Sequence, residues 1–524
     1  MTNAVAQKAK RSTEVDLQDI VVTVMTLACI SFSCWAISIG WNNSIFDYHG
    51  FRQAQTAINS YCIMRGGSVL QYETPVLGPP WSIPFEFPLY QWLVVFLARS
   101  ASLPLESAGR SVAAAFYFLS FIPLADILRS LQFKRRQVFT TLALFAISPF
   151  YIFHSRCFMI ESTALFWALC YIAMIFRLPQ STRPWLLNIG IAVAGVIAGM
   201  VKVTTFASFF VVGAVVVLRR YWKTDDERIL QWVWLASIMA AIVIPFVATA
   251  WWTSFADVVK SENPMALQLT SKALKTWNFG TLEQRLVLRN YTRFPSDLES
   301  FIGSKNVVLV VFALGLSLCR AIRPVVLACV ALYVGTIELF FNLHYVHQYY
   351  AYSNAIFVVV AVGVTLGAII QLRGWPSWLG VCLFVAIFVE CSHSYFLRPY
   401  YNFRSLYQLQ AQNAPGRQEA ANVLAQSTRP EDVIVIFGLD WSPELPYQAH
   451  RRAIMDPTWN HNEQSMAAAI DKQGKSKIAA IVACDWARSA GQLHASLEQT
   501  SIPGVPQYSA DGCDIYLRES ALRK

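Results

Sequence analysis

Charge is scarce in this chain. Of its 524 residues 14% are charged and 55% hydrophobic, and the mean hydropathy is +0.41. Soluble domains carry about 25% charged residues, so the deficit excludes an ordinary soluble protein and indicates a polytopic membrane protein. The sequence also lacks a Walker loop, a dinucleotide-binding glycine fingerprint and a cysteine-rich zinc site, which argues against ATP and nicotinamide chemistry. No small-residue cleavage pattern accompanies the first apolar run, Ile20 to Trp41, which follows a polar stretch from Met1 to Gln18. That run reads as a signal anchor and not as a cleaved signal peptide. Mid-span charges are few, Asp126 and Glu338 falling near span ends, and there is no convincing internal repeat. Transporters place polar groups mid-span and often show repeated halves, so a multi-span transporter or lipid-linked glycan flippase is kept as the alternative to an enzyme. A structural assembly protein with an outer binding domain would leave the first long loop unexplained.

What is present is a series of apolar runs separated by short basic clusters. Spans of roughly twenty residues fit near 20–41, 107–128, 137–154, 160–177, 185–201, 203–219, 229–252, 304–320, 323–342, 353–372 and 375–394. The net charge of +10 needs no nucleic-acid partner, because the Lys and Arg fall on alternate loops, as the positive-inside rule produces. The clusters are Lys8, Lys10 and Arg11; Arg129, Lys134, Arg135 and Arg136; Arg177 and Arg183; Arg219, Arg220, Lys223 and Arg228; Arg320 and Arg323; and Arg373. The stretch Phe87–Arg99, bracketed by Pro84, Pro88 and Pro104, is too short to cross and reads as a juxtamembrane helix.

The expected fold is therefore a polytopic α-helical membrane protein with about eleven transmembrane helices and its N-terminus inside. Residues 1–19 form a cytoplasmic N-terminus, and 20–396 a transmembrane domain with outer loops 42–106 and 253–303. Residues 397–524 read as a small outer α/β domain. In it an amphipathic stretch near Gly416–Ala425 precedes β-like runs at Val433–Phe437, Ile478–Val482 and Ile515–Leu517. Most of the eleven cysteines lie inside apolar spans, but Cys484 and Cys513 fall in or beside strands of this domain. Either a disulfide or two buried thiols fits them.

Candidate chemistry gathers in the outer loops. The first contains Phe46-Asp47-Tyr48-His49-Gly50-Phe51-Arg52-Gln53 and closes with Pro84-Phe85-Glu86-Phe87-Pro88-Leu89-Tyr90. A loop this rich in acids, amides, Arg and aromatics at a bilayer surface is where a membrane enzyme keeps its site. Asp47 suits a general base, or it is a solvated acid paired with Arg52. Glu161 closes the tight turn Ser155-Arg156-Cys157-Phe158-Met159-Ile160, where a helix dipole also favours an acid. Lys202, between two apolar runs, either snorkels to headgroups or meets a lipid phosphate, and Arg52 and Arg156 offer planar forks for the same phosphate. His344-Tyr345-Val346-His347-Gln348-Tyr349-Tyr350 reads as an interfacial aromatic belt, or as a metal site if its two histidines share a helix face.

Taken in order, the long first loop with its acid, Glu86-Phe87-Pro88-Leu89-Tyr90-Gln91-Trp92-Leu93, Leu105-Glu106-Ser107-Ala108-Gly109-Arg110, Ser148-Pro149-Phe150, Arg156, Glu161 and Lys202 resemble the GT-C glycosyltransferases. The nearest branch is that of the protein O-mannosyltransferases and lipid A aminoarabinose transferases. The resemblance covers residues up to about 220; beyond them only topology and the His-rich turn support it. It implies transfer of a sugar from a polyprenyl-phosphate donor to a glycan, lipid or protein acceptor at the outer face, with inversion. Asp47 would be the general base and Glu161 the second outer-loop acid. The expected substrate-binding residues are Arg52, Gln53, Glu86, Tyr90, Arg156, Lys202, His344, His347, Tyr349 and Tyr350. In place of the family's Asp-Glu pair the chain has Asp47-Tyr48-His49, so no metal ligand is assigned and a divalent ion stays open. The expected setting is a bacterial inner membrane with the site facing the periplasm.

Overall fold

The structure, a computed structural model, describes residues 17–46, 48–223, 228–292, 294–397, 417–459, 463–489 and 491–519. Asp47 lies outside the described residues. Among the described residues eight helices are long and apolar enough to cross a bilayer: Leu17–Ser38, Leu105–Ser130, Glu161–Gln180, Pro184–Val201, Val203–Trp222, Gln231–Ser261, Arg320–Leu339 and Trp375–Phe396. A ninth candidate is the pair Arg135–Ile147 and Pro149–Ser155, bent by 58° where Pro149 opens the second helix. The remaining two of the eleven expected spans fall on the shorter apolar helices Lys305–Leu318 and Ala355–Ile370. Leu89–Ser100, at 12 residues, is a helix but not a candidate span.

In an apolar medium helices associate through close packing of small residues and not through hydrophobic drive. Helix Ala355–Ile370 shows how. A Cβ on Gly363 would lie 2.5 Å from Thr141 Cα, and one on Gly367 would lie 2.4 Å from Gln137 Cα, so the two backbones touch. Thr140 Oγ1 then donates across the contact to the Gly363 carbonyl at 2.8 Å.

The start of helix Arg135–Ile147 and the 156–160 turn meet opposite ends of the first helix, about 33 Å apart at 1.5 Å per residue. At the N-terminal end Arg136 pairs with Asp19 at 2.6 Å and donates to the Ile370 carbonyl at 2.7 Å. Just past the C-terminal end two buried arginines satisfy carbonyls of the segment that follows the helix. Arg110 donates to Trp41 and Ser44, and Arg156 to Ile39 and Gly40.

The C-terminal region is a five-stranded sheet ordered β2-β1-β3-β5-β4, with β1 Val433–Phe437, β2 Arg452–Met455, β3 Ile478–Cys484, β4 Tyr508–Ala510 and β5 Cys513–Leu517. Strand β1 runs parallel to β2 and β3, and β5 runs antiparallel to β3. Strands β1 and β3 are buried along their whole length, as continuous apolar runs in a parallel sheet require. Cys484 and Cys513 are directly paired across β3 and β5 and form a disulfide.

This region is not packed on its own. Ala453 and Met455 donate backbone hydrogen bonds to Pro75 and Val76 at 2.9 and 3.1 Å, so the first loop closes the β2 edge that would otherwise be open. Val76, Leu77, Ile83, Met265, Ala266 and Leu269 belong to the same hydrophobic cluster as the sheet.

Candidate active site

Local chain breaks bring the candidate residues together. Lys202 adopts an extended backbone (φ −161°) between helices Pro184–Val201 and Val203–Trp222. Glu161 opens the helix Glu161–Arg177 after the 156–160 turn, where the helix dipole favours an acid. Glu86 is held by Tyr72, whose hydroxyl donates to the Glu86 carbonyl at 2.9 Å and accepts from the Phe85 amide at 2.6 Å. Helix Gly50–Met64 starts after His49, a left-handed residue (φ 66°), and projects Arg52 inward.

Two ion pairs result. Lys202 binds Glu161, and Arg52 binds Glu86 while donating to Gln55 Oε1 at 2.5 Å. The Lys202 ammonium also lies 4.6 Å from the centre of the Tyr350 ring and 5.4 Å from that of Tyr349, a favourable cation–π geometry. His49 sits between His154 and Tyr349, with ring centres 5.5 and 5.0 Å away. Four buried polar atoms of this cluster have no hydrogen-bond partner among the described residues: Arg52 Nε, Glu161 Oε2, His154 Nε2 and His344 Nε2. Such atoms each cost about 1–3 kcal/mol, and native cores hold few of them. These four surround the two ion pairs, while other such atoms, among them Gln91 Oε1 and Gln371 Nε2, lie elsewhere. His344 Nδ1 lies 2.9 Å from the Phe340 carbonyl and so carries the proton, which leaves Nε2 as a bare acceptor. Burial pushes the His344 imidazole down to about 4, so it is neutral at neutral pH.

Beside the cluster lies a cavity of about 780 Å³, within the size range of small-molecule sites. One wall is His49, Phe51, Arg52, Gln55, Phe85 and Glu86, and a second is His347, Tyr349 and Tyr350. A third comes from the 268–278 segment with Leu274, Trp277 and Asn278, and a fourth from the sheet region with Asp440, Trp441, Glu444, Thr458 and Trp459.

The expected site residues divide into three groups. Arg52, Glu86, His347, Tyr349 and Tyr350 line the cavity. Glu161, Lys202 and His344 are buried next to it, with Lys202 covered by the Tyr349 and Tyr350 rings. Gln53, Tyr90 and Arg156 are structural. Gln53 accepts from the Phe158 amide at 2.9 Å and donates to the Tyr48 carbonyl at 3.1 Å, tying the first loop to the 156–160 turn. Tyr90 is buried and donates to the Gly109 carbonyl at 2.8 Å. Arg156 spends its guanidinium on the Ile39 and Gly40 carbonyls, so the expected convergence of three cations becomes a convergence of two.

The two histidines of the His-rich turn do not share a face, because the helix ends at Val346 and His347 is extended (φ −127°). Glu86 and Glu161 are each taken by a cation. Among the described residues no group of His, Cys, Asp and Glu gathers as metal ligands.

The sequence names His49 only as a neighbour of Asp47, and His154, Trp441, Glu444 and Trp459 do not stand out in it. His154 sits two positions before Arg156, and the Asp440-Trp441 pair follows a strand run, Gly438 and Leu439. Those are weak signals in a chain with 17 Trp.

Comparisons with known proteins agree with this picture. The family model "Dolichyl-phosphate-mannose-protein mannosyltransferase" matches residues 102–256. The crystal structure of ArnT from Cupriavidus metallidurans bound to undecaprenyl phosphate aligns with a TM-score of 0.59 at 13% identity, covering 94% of this chain and 98% of that one. The archaeal oligosaccharyltransferase AglB from Archaeoglobus fulgidus, in complex with an inhibitory peptide and a dolichol-phosphate, aligns at 0.50 and 12% identity over 88% of this chain and 69% of that one. The arabinofuranosyltransferase AftD from Mycobacteria aligns in one form (mutant R1389S, class 2) at 0.53 and 14% identity, over 95% of this chain and 41% of that one. No curated protein matches the chain. The chain thus has the fold of the GT-C membrane glycosyltransferases and resembles that class, including its protein mannosyltransferase branch.

Proposed function

We propose that this integral membrane protein of the GT-C fold is a glycosyltransferase that moves a sugar from a polyprenyl-phosphate donor to an acceptor hydroxyl. The donor phosphate lies toward Arg52 and Lys202, and the sugar lies in the cavity. Asp47, assigned from the sequence resemblance, takes the acceptor proton as general base. The acceptor oxygen bonds to the anomeric carbon as the bond from that carbon to the phosphate oxygen breaks. The bonding electrons leave with polyprenyl phosphate, and a single displacement inverts the anomeric centre. Arg52 and Lys202 offset the charge growing on the phosphate, and Glu161 holds Lys202 in place. The reaction faces the outer side, the periplasm of a bacterial inner membrane, as the basic clusters of the sequence suggest. A lipid phosphate suits that setting because it presents its sugar at the interface without a nucleotide.

The observation that carries this reading is the concentration of unpartnered buried polar atoms around the Glu161–Lys202 and Arg52–Glu86 pairs, beside the cavity. The test is release of polyprenyl phosphate by purified protein in nanodiscs, offered a panel of polyprenyl-phosphate sugars with membrane extract as acceptor. Wild type should release it with at least one donor, and Asp47→Asn and Glu161→Gln should fall to background. No release with any donor would overturn the reading in favour of transport.

A further inference from the structure

The two sides of the cavity differ in how their charges are paired. Its inner side carries the Arg52–Glu86 ion pair and, behind the tyrosines, the Lys202–Glu161 pair. Its other side, built by the C-terminal sheet, carries aromatic rings and two acids, Asp440 and Glu444. Open α/β sheets bind ligands outside the carboxyl ends of their strands, and these residues come from the segments after β1 and β2. The segment after β1 turns at Gly438 (φ 88°), where a Cβ would lie 2.2 Å from the Cys484 carbonyl oxygen, so only glycine fits. Asp440 is also left-handed (φ 51°), a costly conformation for a non-glycine residue. Its Oδ1 accepts from the Thr458 amide at 2.7 Å and locks the two segments together.

That lock presents Trp441 to the cavity, braced edge to face by Phe51 at 4.9 Å and Trp459 at 5.4 Å. Glu444 follows on the next helix, Glu444–Ala449, pressed against Gly50. Among the described residues its carboxylate has no hydrogen-bond or ion-pair partner, and burial raises its pKa while Arg417 opposes.

We propose that this side of the cavity is an acceptor subsite for a neutral carbohydrate ring, with Trp441 stacking on its C–H face and Glu444 accepting its hydroxyls. The proposal rests on the transferase reading and names its acceptor class. An aromatic face beside a free carboxylate matches a sugar, which is apolar on one face and rich in O–H donors at its edge. Two carboxylates repel a phosphate at this end, so a phosphorylated acceptor is disfavoured and the donor phosphate is left to Arg52 and Lys202.

Saturation-transfer NMR on the full chain in nanodiscs tests this with methyl α-mannopyranoside, methyl α-glucopyranoside, methyl β-galactopyranoside and methyl α-arabinofuranoside, with glucose 1-phosphate and a Ser/Thr peptide as further arms. At least one neutral glycoside should show saturated ring C–H signals. They should weaken about fivefold in Trp441→Ala, the worth of one aromatic contact, weaken also in Glu444→Gln, and persist in Trp441→Phe, which shows that the fold survives. No saturation with any neutral glycoside, signals unchanged in Trp441→Ala, or Trp441-dependent binding of the phosphate or peptide alone would overturn the proposal. Glycoside binding without donor turnover would overturn the transferase reading and leave the subsite standing. Turnover without glycoside binding would overturn the subsite alone.

Discussion

Of the ion pairs that tie distant segments of this chain, Arg452–Glu73 and Lys202–Glu161 differ sharply in their surroundings. Arg452 grips Glu73 with two hydrogen bonds of 2.8 and 2.9 Å, yet its side chain is 45% exposed and that of Glu73 18%. Lys202 and Glu161 are only 5% and 2% exposed. The exposed pair contributes about 0–1 kcal/mol because water screens it, and the sheet is joined to the first loop mainly by backbone pairing and a shared apolar core. The buried pair gains more from Coulomb attraction but loses more hydration, so an apolar pair of similar volume would serve stability as well. Its place next to unpartnered polar atoms suits the proposed transfer better than a stabilising role.

The largest test of that contrast removes one buried charge. Lys202→Met should cost about 3–5 kcal/mol, because Glu161 is left uncompensated, and polyprenyl phosphate release should fall to background. Adding Glu161→Gln should restore most of the stability and none of the release. Thermal unfolding in detergent alongside the release assay checks this, and a stable single variant would break the comparison.

Arg52→Lys keeps the charge but loses the planar fork shared between Glu86 and Gln55. Donor kcat/KM should drop about ten- to a hundredfold, with unfolding affected less. Steady-state kinetics against donor concentration would show it.

His344 adds a pH dependence. Its folded value of about 4 lies below the ordinary 6.5, so the unfolded chain takes up the proton first as pH falls. Its share of stability is intact above pH 6.5 and is lost progressively down to about 4, on the order of 1 kcal/mol per pH unit. Melting temperatures of wild type and His344→Gln should therefore diverge less at pH 5 than at pH 7. A constant difference would show that the site is more open than its burial indicates.

The smallest effect belongs to the exposed pair. Arg452→Ala should shift stability by less than about 1 kcal/mol and leave polyprenyl phosphate release unchanged. A loss comparable to that of Lys202→Met would erase the distinction between the pairs.

How much of this was legible in advance depended on the range of the forces involved. The apolar runs mark the helices because a bilayer imposes its length on each segment separately. Continuous apolar strands such as Val433–Phe437 stood out for a similar reason, whereas β2 and β4, at 4 and 3 residues, are defined by their neighbours and left no local pattern. Arg156 carries every local mark of a phosphate-binding cation. Only the position of the Ile39 and Gly40 carbonyls shows that its guanidinium is already occupied. His154 and Trp441 reach the site through a bent helix and a strained turn, neither of which leaves a periodic trace.

The sequence by itself determined that the chain is a helical membrane protein with a small α/β region, and that acids and cations cluster in the loops between its apolar runs. Composition and hydropathy act residue by residue, so they survive without a fold. Tertiary structure decided which charges meet, that the sheet region forms a wall of the cavity, and which buried polar atoms stay without partners. Those outcomes depend on contacts between segments hundreds of positions apart, such as Phe51 with Trp441, and such contacts exist only once the chain is packed.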